Sequence, residues 1–176
     1  MKKKAQLMSE PFVWIFALIV GALILIWGIK TVMDLKDTAD TVDLGRFKTQ
    51  IETLAKSMKN QGEGSSEVIP VQVGAKVKFV CFSNTEDTTI SCKMKGKDGT
   101  LKDCPGGTAA IDPALELRMK SAKNTDNMWI LPFGSSKKDS FKILYIKPIA
   151  GANPICYQNG KASIEMETRD IFVEIK

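Results

Sequence analysis

The sequence predicts an α+β chain: a long N-terminal helix, transmembrane in its first part and amphipathic after it, followed by a small antiparallel β-rich, sandwich-like domain. Residues 11–29 carry no charge, and apolar residues then recur at three- and four-residue spacing as far as Met58. From Val68 onward, alternating runs are bounded by turn residues, as in strands. The predicted divisions are a basic leader at 1–5, a transmembrane helix at 6–30, a stalk at 31–60, a linker at 61–67 and a β-rich domain at 68–176.

The uncharged run from Pro11 to Ile29 is long enough to cross a bilayer. As a helix it extends about 28 Å, close to the hydrocarbon thickness of a membrane. One alternative is a buried core helix, but a small domain can hardly bury a helix that is apolar on every face. Another is a secretory signal peptide cleaved after the run, but no clear small-residue site follows it. Membrane lipid is therefore the expected partner of this segment.

The charges on either side of the run predict its orientation. Lys2, Lys3 and Lys4 precede it, whereas the lysines that follow are interspersed with four aspartates. Because the lysine-rich side of a membrane segment stays in the cytoplasm, we expect a single-pass protein of the cell membrane with a cytoplasmic N-terminus. The domain from about residue 66 onward is then extracytoplasmic.

A short motif precedes the apolar run. Two lysines are followed by Ala5, and the segment from Gln6 to Glu10 leads directly into the run. This arrangement resembles the class III signal peptide of archaeal type IV pilins and pilin-like proteins. The resemblance implies that a prepilin-type signal peptidase cleaves between Ala5 and Gln6, which makes Glu10 the fifth residue of the mature chain. Pro11, directly after the glutamate, departs from the family pattern.

The resemblance also implies how subunits assemble. Glu10 of one subunit would pair with the new amino terminus on Gln6 of a neighbour, because an unpaired carboxylate in an apolar filament core is costly. Identical or related pilin subunits are the implied partners, and one helix from about Ser9 to Lys59 would be roughly 75 Å long. Two alternatives stay open: Glu10 simply favours the positive end of the helix dipole, or the stalk is a separate amphipathic helix.

Four cysteines lie in the predicted outer domain: Cys81, Cys92, Cys104 and Cys156. Without any histidine or C-x-x-C pair, a metal site is not expected, and an extracytoplasmic location permits disulfides. If Gly96–Thr100 is a hairpin turn with a three-residue loop, Cys92 lies directly opposite Cys104. The remaining pair is then Cys81–Cys156, although sequence does not fix connectivity and free thiols are the alternative.

Individual elements of the domain can also be predicted. Strands are expected at 76–82, 89–94, 128–131 and 141–146, with a terminal hairpin formed by 162–166 and 171–175. Asn159-Gly160 indicates a type I′ turn, and Asp112-Pro113 indicates the start of a short helix.

Composition disfavours several function classes. The chain lacks histidine and any recognisable acid/base or cofactor-binding motif, so we expect neither an enzyme nor a cofactor. The formal charge of +5 includes three leader lysines and gives no support to a nucleic-acid partner. The sequence favours a pilin-like filament subunit or minor pilin. The alternative is a non-polymerising, membrane-anchored binding domain.

Overall fold

The computed structural model describes residues 10–87, 89–121, 125–136 and 138–176. These residues divide into two compact units, one that ends at Ala39 and one from Asp40 to Lys176, each described by itself below. Its helices and strands are α1 (Glu10–Gln61), β1 (Ser66–Pro70), β2 (Phe79–Phe82), β3 (Lys93–Lys95), β4 (Leu101–Asp103), α2 (Leu115–Met119), β5 (Met128–Leu131), β6 (Ser140–Phe141), β7 (Ile146–Pro148), β8 (Ile155–Gln158), β9 (Ser163–Arg169) and β10 (Phe172–Ile175). A single turn of 3-10 helix, Gly107–Ala110, precedes α2.

Helix α1 supplies one face of the core of the second unit. The residues of that face recur at three- and four-residue spacing and are at most 3% exposed: Leu44, Phe47, Ile51, Ala55 and Met58. This is the stripe expected of a helix packed on a domain. The helical stalk predicted for 31–60 therefore lies, from residue 40 onward, within the folded domain.

Two sheets complete the second unit. The strand order is β1-β9-β10-β7 in the first sheet and β4-β3-β8-β2-β5-β6 in the second. Only the β10–β7 and β3–β8 pairings are parallel among the named strands. Buried side chains from both sheets join the helix face in one cluster, among them Ile164 and Val173 from the first sheet and Val80 and Tyr157 from the second. The prediction of a long apolar helix followed by an antiparallel-dominated β-rich domain is confirmed.

The segment predicted as a linker at 61–67 is a short hydrogen-bonded turn. Helix α1 continues to Gln61 and β1 begins at Ser66. Between them, Gly64 N–H donates to Thr168 O at 3.0 Å, and Thr168 N–H donates to Ser65 O at 2.9 Å. Gly64 has a positive φ of 86°, which glycine adopts without strain. The glycines thus serve a defined turn that starts the β1–β9 ladder.

The strand predicted at 141–146 is wrong in one respect: it is two strands in different sheets. β6 ends at Phe141 and β7 begins at Ile146. Between them, the Asn127 side chain accepts from Ile143 N–H at 2.7 Å and donates to Ile143 O at 2.9 Å. This side chain supplies the hydrogen bonds that a continuous ladder would otherwise provide, and the chain changes sheets there. Tyr145 adopts a positive φ of 67° at the same bend.

The type I′ turn predicted at Asn159-Gly160 is also wrong. Gly160 has a positive φ of 69°, but Asn159 is not among the described residues with positive φ, which type I′ requires. The Asn159 side chain instead holds a neighbouring loop: its amide donates to Val73 O at 3.0 Å and to Val77 O at 3.0 Å, and its oxygen accepts from Val73 N–H at 3.0 Å. The turn connects β8 and β9, which belong to different sheets.

Candidate membrane-anchoring and assembly site

The apolar side chains that the structure describes from residue 11 to residue 30 are exposed. Every residue from 11 to 30 except Gly21 and Gly28 is exposed, with Phe12 77%, Trp14 72% and Trp27 72% exposed. No charge interrupts residues 11–29. This part of α1 is long and apolar enough to cross a membrane. So large an apolar surface requires burial in lipid or against another protein.

Two threonines after the apolar run hydrogen-bond back to the helix backbone. Thr31 Oγ1 donates to Trp27 O at 2.9 Å, and Thr38 Oγ1 donates to Asp34 O at 2.9 Å. Each hydroxyl is thereby satisfied by the carbonyl four residues earlier and needs no water for its donor. Thr31 follows Lys30, the first charge after the run.

The predicted processing and assembly residues lie at the start of this segment. Ala5 and Gln6 are outside the described residues. Helix α1 begins at Glu10, whose backbone alone is described. Pro11 follows in the first turn, where a missing N–H costs nothing and the fixed φ suits a helix. The departure from the family pattern at Pro11 is therefore compatible with the helix.

Two disulfides cross-link the second unit, and they are the two pairs that the sequence favoured. Cys81 in β2 and Cys156 in β8 are directly opposed, with their Cα atoms 4.0 Å apart. Cys92 and Cys104 flank the β3–β4 hairpin, with their Cα atoms 5.5 Å apart. Both bridges join neighbouring strands of the second sheet.

The β3–β4 hairpin has the geometry assumed in the sequence argument. Lys95 pairs with Leu101, so Gly96 faces Thr100 across the loop of three residues. Gly99 takes the left-handed conformation, with φ 70°. Counting back along both strands brings Cys92 opposite Cys104, and Cys104 N–H donates to Cys92 O at 3.1 Å.

The Cys81–Cys156 bridge lies in a second, smaller apolar cluster. Its neighbours there include Leu115, Trp129 and Leu131, and both cysteines are fully buried. The Trp129 indole N–H donates to Ser83 Oγ at 2.8 Å, so its polar atom is satisfied within the domain.

Perturbed ionisable groups have local structural causes. Hydrogen bonds from Lys120 and then Thr108 hold the pKa of Glu116 below its usual value. Burial, with the charge of Glu165 as a smaller cause, raises the pKa of Tyr157, whose hydroxyl donates to Lys176 O at 2.7 Å. Among the residues that the structure describes, no group of three or more His, Cys, Asp or Glu side chains is arranged to hold a metal ion.

One surface feature was not predicted from the sequence: a groove of 820 Å³ between α1 and β1. Its walls come from one exposed face of the helix and from the strand: Gly45, Arg46, Thr49, Gln50, Thr53, Leu54, Ser57, Glu67, Val68 and Ile69. The four-residue spacing of Gly45, Thr49, Thr53 and Ser57 is a signal in the sequence that could have indicated a face of small side chains.

Comparison with protein-family models, with curated proteins and with solved structures finds no match to this chain. A function must therefore be inferred from the residues of the chain itself. Among the described residues, the apolar surface of residues 11–29 and the groove beside β1 are the candidates for contact with lipid or with another molecule.

Proposed function

We propose that this chain is a pilin-like surface protein: anchored by α1, cleaved between Ala5 and Gln6 by a prepilin-type signal peptidase, and assembled into a filament as a main or minor subunit. The observation that carries the proposal is the apolar surface of residues 11–29, exposed on all sides and directly preceded by the leader motif. Membrane lipid covers this surface before assembly. Apolar segments of neighbouring subunits replace the lipid in the filament.

Cleavage changes the charge at the head of the helix. Hydrolysis of the Ala5–Gln6 bond removes the lysine-bearing leader and leaves an ammonium group on Gln6. The Glu10 carboxylate of an adjacent subunit then neutralises this ammonium where neither charge has water around it. This pairing fixes the axial position of one helix against the next, which an apolar surface alone leaves undetermined.

The same proposal accounts for the rest of the chain. With its N-terminus in the cytoplasm, the protein exposes residues 40–176 on the outer side of the membrane as a sandwich-like head. Disulfides persist in an oxidising environment, and two of them bridge strands of this unit. The buried half of α1 ties the head to the segment that assembles.

A second function, a non-polymerising anchored binding domain, is supported by the groove beside β1. In that case α1 holds a receptor head at the cell surface as a monomer. Cleavage at Gln6 and recovery in filaments separate the two functions.

Intact-mass measurement of the chain purified from its native membranes tests the proposal. We expect a mature chain that begins at Gln6, and we expect Ala5→Leu to retain the leader whereas the control Met8→Leu is processed normally. Sheared surface filaments should contain the wild-type chain. Glu10→Gln should be cleaved normally and yet be depleted from those filaments.

A wild-type chain that begins at Met1 would exclude the proposal. A chain that is cleaved at Gln6 but is monomeric in detergent and absent from sheared filaments would favour the binding-domain function instead.

A further inference from the structure

We infer that the groove beside β1 binds an extended polypeptide segment, which adds to the first sheet as a fifth strand. The inference goes beyond the proposed function and does not depend on it, because the groove lies wholly within the second unit. It concerns recognition by the folded domain, whereas cleavage and assembly concern the N-terminal segment.

One edge of β1 is already used by β9. Thr168 N–H donates to Ser65 O at 2.9 Å, and Val71 N–H donates to Ala162 O at 3.0 Å. These bonds lie at the two ends of the β1–β9 ladder and both involve odd-numbered residues of the β1 segment. Since hydrogen-bonding direction alternates along an antiparallel strand, Glu67 and Ile69 face β9 in the same way.

Among the described strands, none pairs with the opposite edge of β1. By the same alternation, Ser66 and Val68 direct both N–H and C=O away from β9, and Pro70 directs its C=O there. All three residues are exposed, Val68 to 59%. An added strand would find two donors and three acceptors in a row, which is the arrangement used when an extended peptide binds to a sheet edge.

The other edge of the same sheet is protected. At β7, Ile146 O accepts from the Asn127 amide at 3.4 Å, and the Lys147 ammonium pairs with Glu86 at 2.6 Å. Pro148 has no N–H to offer. Protection of one edge and not of the other identifies β1 as the accepting edge of this sheet.

The helix wall leaves room for an added strand. Gly45, Thr49, Thr53 and Ser57 are small, exposed and spaced by four residues, so they line up along one face. The face extends about 18 Å along the helix, which matches five residues of extended chain. Longer side chains at these positions would occupy the space beside β1.

The lining of the groove specifies the chemistry of its partner. Alternate side chains of the partner point toward the small face of α1 and are therefore of modest size, and Leu54 and Ile69 in the same walls favour apolar ones. Arg46 lies at the end of the groove that is formed by the earlier part of the helix, and Glu67 lies near the turn that joins α1 to β1. An acidic side chain near Arg46 and a basic one near Glu67 complete the match, and proline is excluded from the paired positions.

A labelled heptapeptide with the sequence of β9, residues 163–169, is a suitable probe. β9 pairs with β1 on its other edge and has the required alternation, with Ile164, Met166 and Thr168 buried and polar residues between them. Fluorescence anisotropy with the full-length chain in detergent micelles measures its binding. Two derivatives carry N-methyl groups on alternate nitrogens, one on the odd-numbered residues and one on the even-numbered residues.

We expect the unmodified peptide to bind and only one of the methylated peptides to bind at least about tenfold more weakly, because alternate N–H groups face β1. Equal binding of both methylated peptides would overturn strand addition. No binding of any peptide at about 1 mM, the weak end of the affinity range, would overturn it too.

Variants of the protein locate the binding site. Thr53→Tyr fills the groove, whereas Lys56→Tyr places the same side chain on an exposed position that does not line it. Val68→Pro removes an N–H from the open edge without touching the β9 ladder, and Val68→Thr keeps that N–H. We expect Thr53→Tyr and Val68→Pro to weaken binding at least about tenfold and their controls to change it by less than about threefold.

Circular dichroism of each variant checks that it is folded. Wild-type affinity in both folded Thr53→Tyr and folded Val68→Pro would overturn the location. Sedimentation without peptide tests whether the chain forms a dimer through the groove. A dimer of wild-type chains that Thr53→Tyr dissociates would assign the groove to a second copy of this chain and overturn the assignment to a peptide partner.

Discussion

The two disulfides should contribute unequally to stability, and the inequality can be calculated from the loops that they close. The comparison uses two double variants, Cys81→Ala with Cys156→Ala and Cys92→Ala with Cys104→Ala. The first bridge joins residues 75 positions apart, and the second joins residues 12 positions apart. A cross-link that closes a longer loop removes more conformations from the unfolded chain.

The chain-entropy relation converts these separations into free energies of unfolding. The separation of 75 residues corresponds to a stabilisation of about 4.5 kcal/mol and the separation of 12 residues to one of about 2.8 kcal/mol at 25 °C. Burial acts in the same direction: Cys81 and Cys156 are fully buried, whereas Cys92 and Cys104 are 8% and 6% exposed. Loss of the Cys81–Cys156 bridge should therefore cost at least about 1.5 kcal/mol more than loss of the other bridge.

Urea unfolding in detergent micelles can measure this difference with a single reporter. Substituting Trp14→Phe and Trp27→Phe leaves Trp129, which is 1% exposed and lies in the same apolar cluster as Cys81. With a slope of about 1.5 kcal/mol per M, the two double variants should unfold at midpoints roughly 1 M apart. Equal midpoints, or a larger loss from the Cys92–Cys104 deletion, would refute the loop-entropy reasoning.

Two further predictions concern single side chains. Asn159→Asp should lower the free energy of unfolding by about 3 kcal/mol, because it places a charged acceptor against the carbonyls of Val73 and Val77, which accept hydrogen bonds from the Asn159 amide. The exposed Asn60→Asp is the control, and equal urea midpoints for the two variants would contradict the prediction. The pKa of Asp98 should be about 2 in carboxyl-carbon NMR, because Lys102 and then Thr100 hydrogen-bond its charged form. Since this pKa lies below the ordinary 3.8, the stabilisation is present above about pH 4 and is lost as pH falls toward 2. Asp98→Asn should therefore flatten the acid dependence of the free energy of unfolding in that window, and titration of Asp98 near the ordinary value would contradict the prediction.

Features set by local rules could be predicted from the sequence. The uncharged run can be recognised from its length and composition alone. Alternation predicts the terminal hairpin, and the antiparallel β9–β10 pairing confirms it. The Cys92–Cys104 pairing rests on the conformation of Gly99 and on counting along two adjacent strands. In each case the decisive residues lie close together along the chain.

Most features set by distant contacts could not be predicted, and the Cys81–Cys156 pair was reached only as the remainder once Cys92 was assigned to Cys104. The break between β6 and β7 depends on Asn127, which is 16 residues away from its partner Ile143 and is an ordinary loop residue by composition. The groove beside β1 requires the pairing of β1 with β9, about a hundred residues later in the chain. The first ten residues carry the processing and assembly predictions, and those rest on the sequence motif.

The pairing of β1 with β9 also determines when the domain can close during synthesis. The apolar face of α1 from Leu44 to Met58 is synthesised long before Ile164 and Val173, which join it in the core. Cys81 likewise cannot form its disulfide until Cys156 has been synthesised. Until the final strands arrive, the emerging chain presents an uncovered apolar helix and an unpaired thiol, which are aggregation hazards for nascent proteins. Folding of this chain should therefore depend on shielding of the early segment, and the Cys81–Cys156 bridge can form only after β8 has been made.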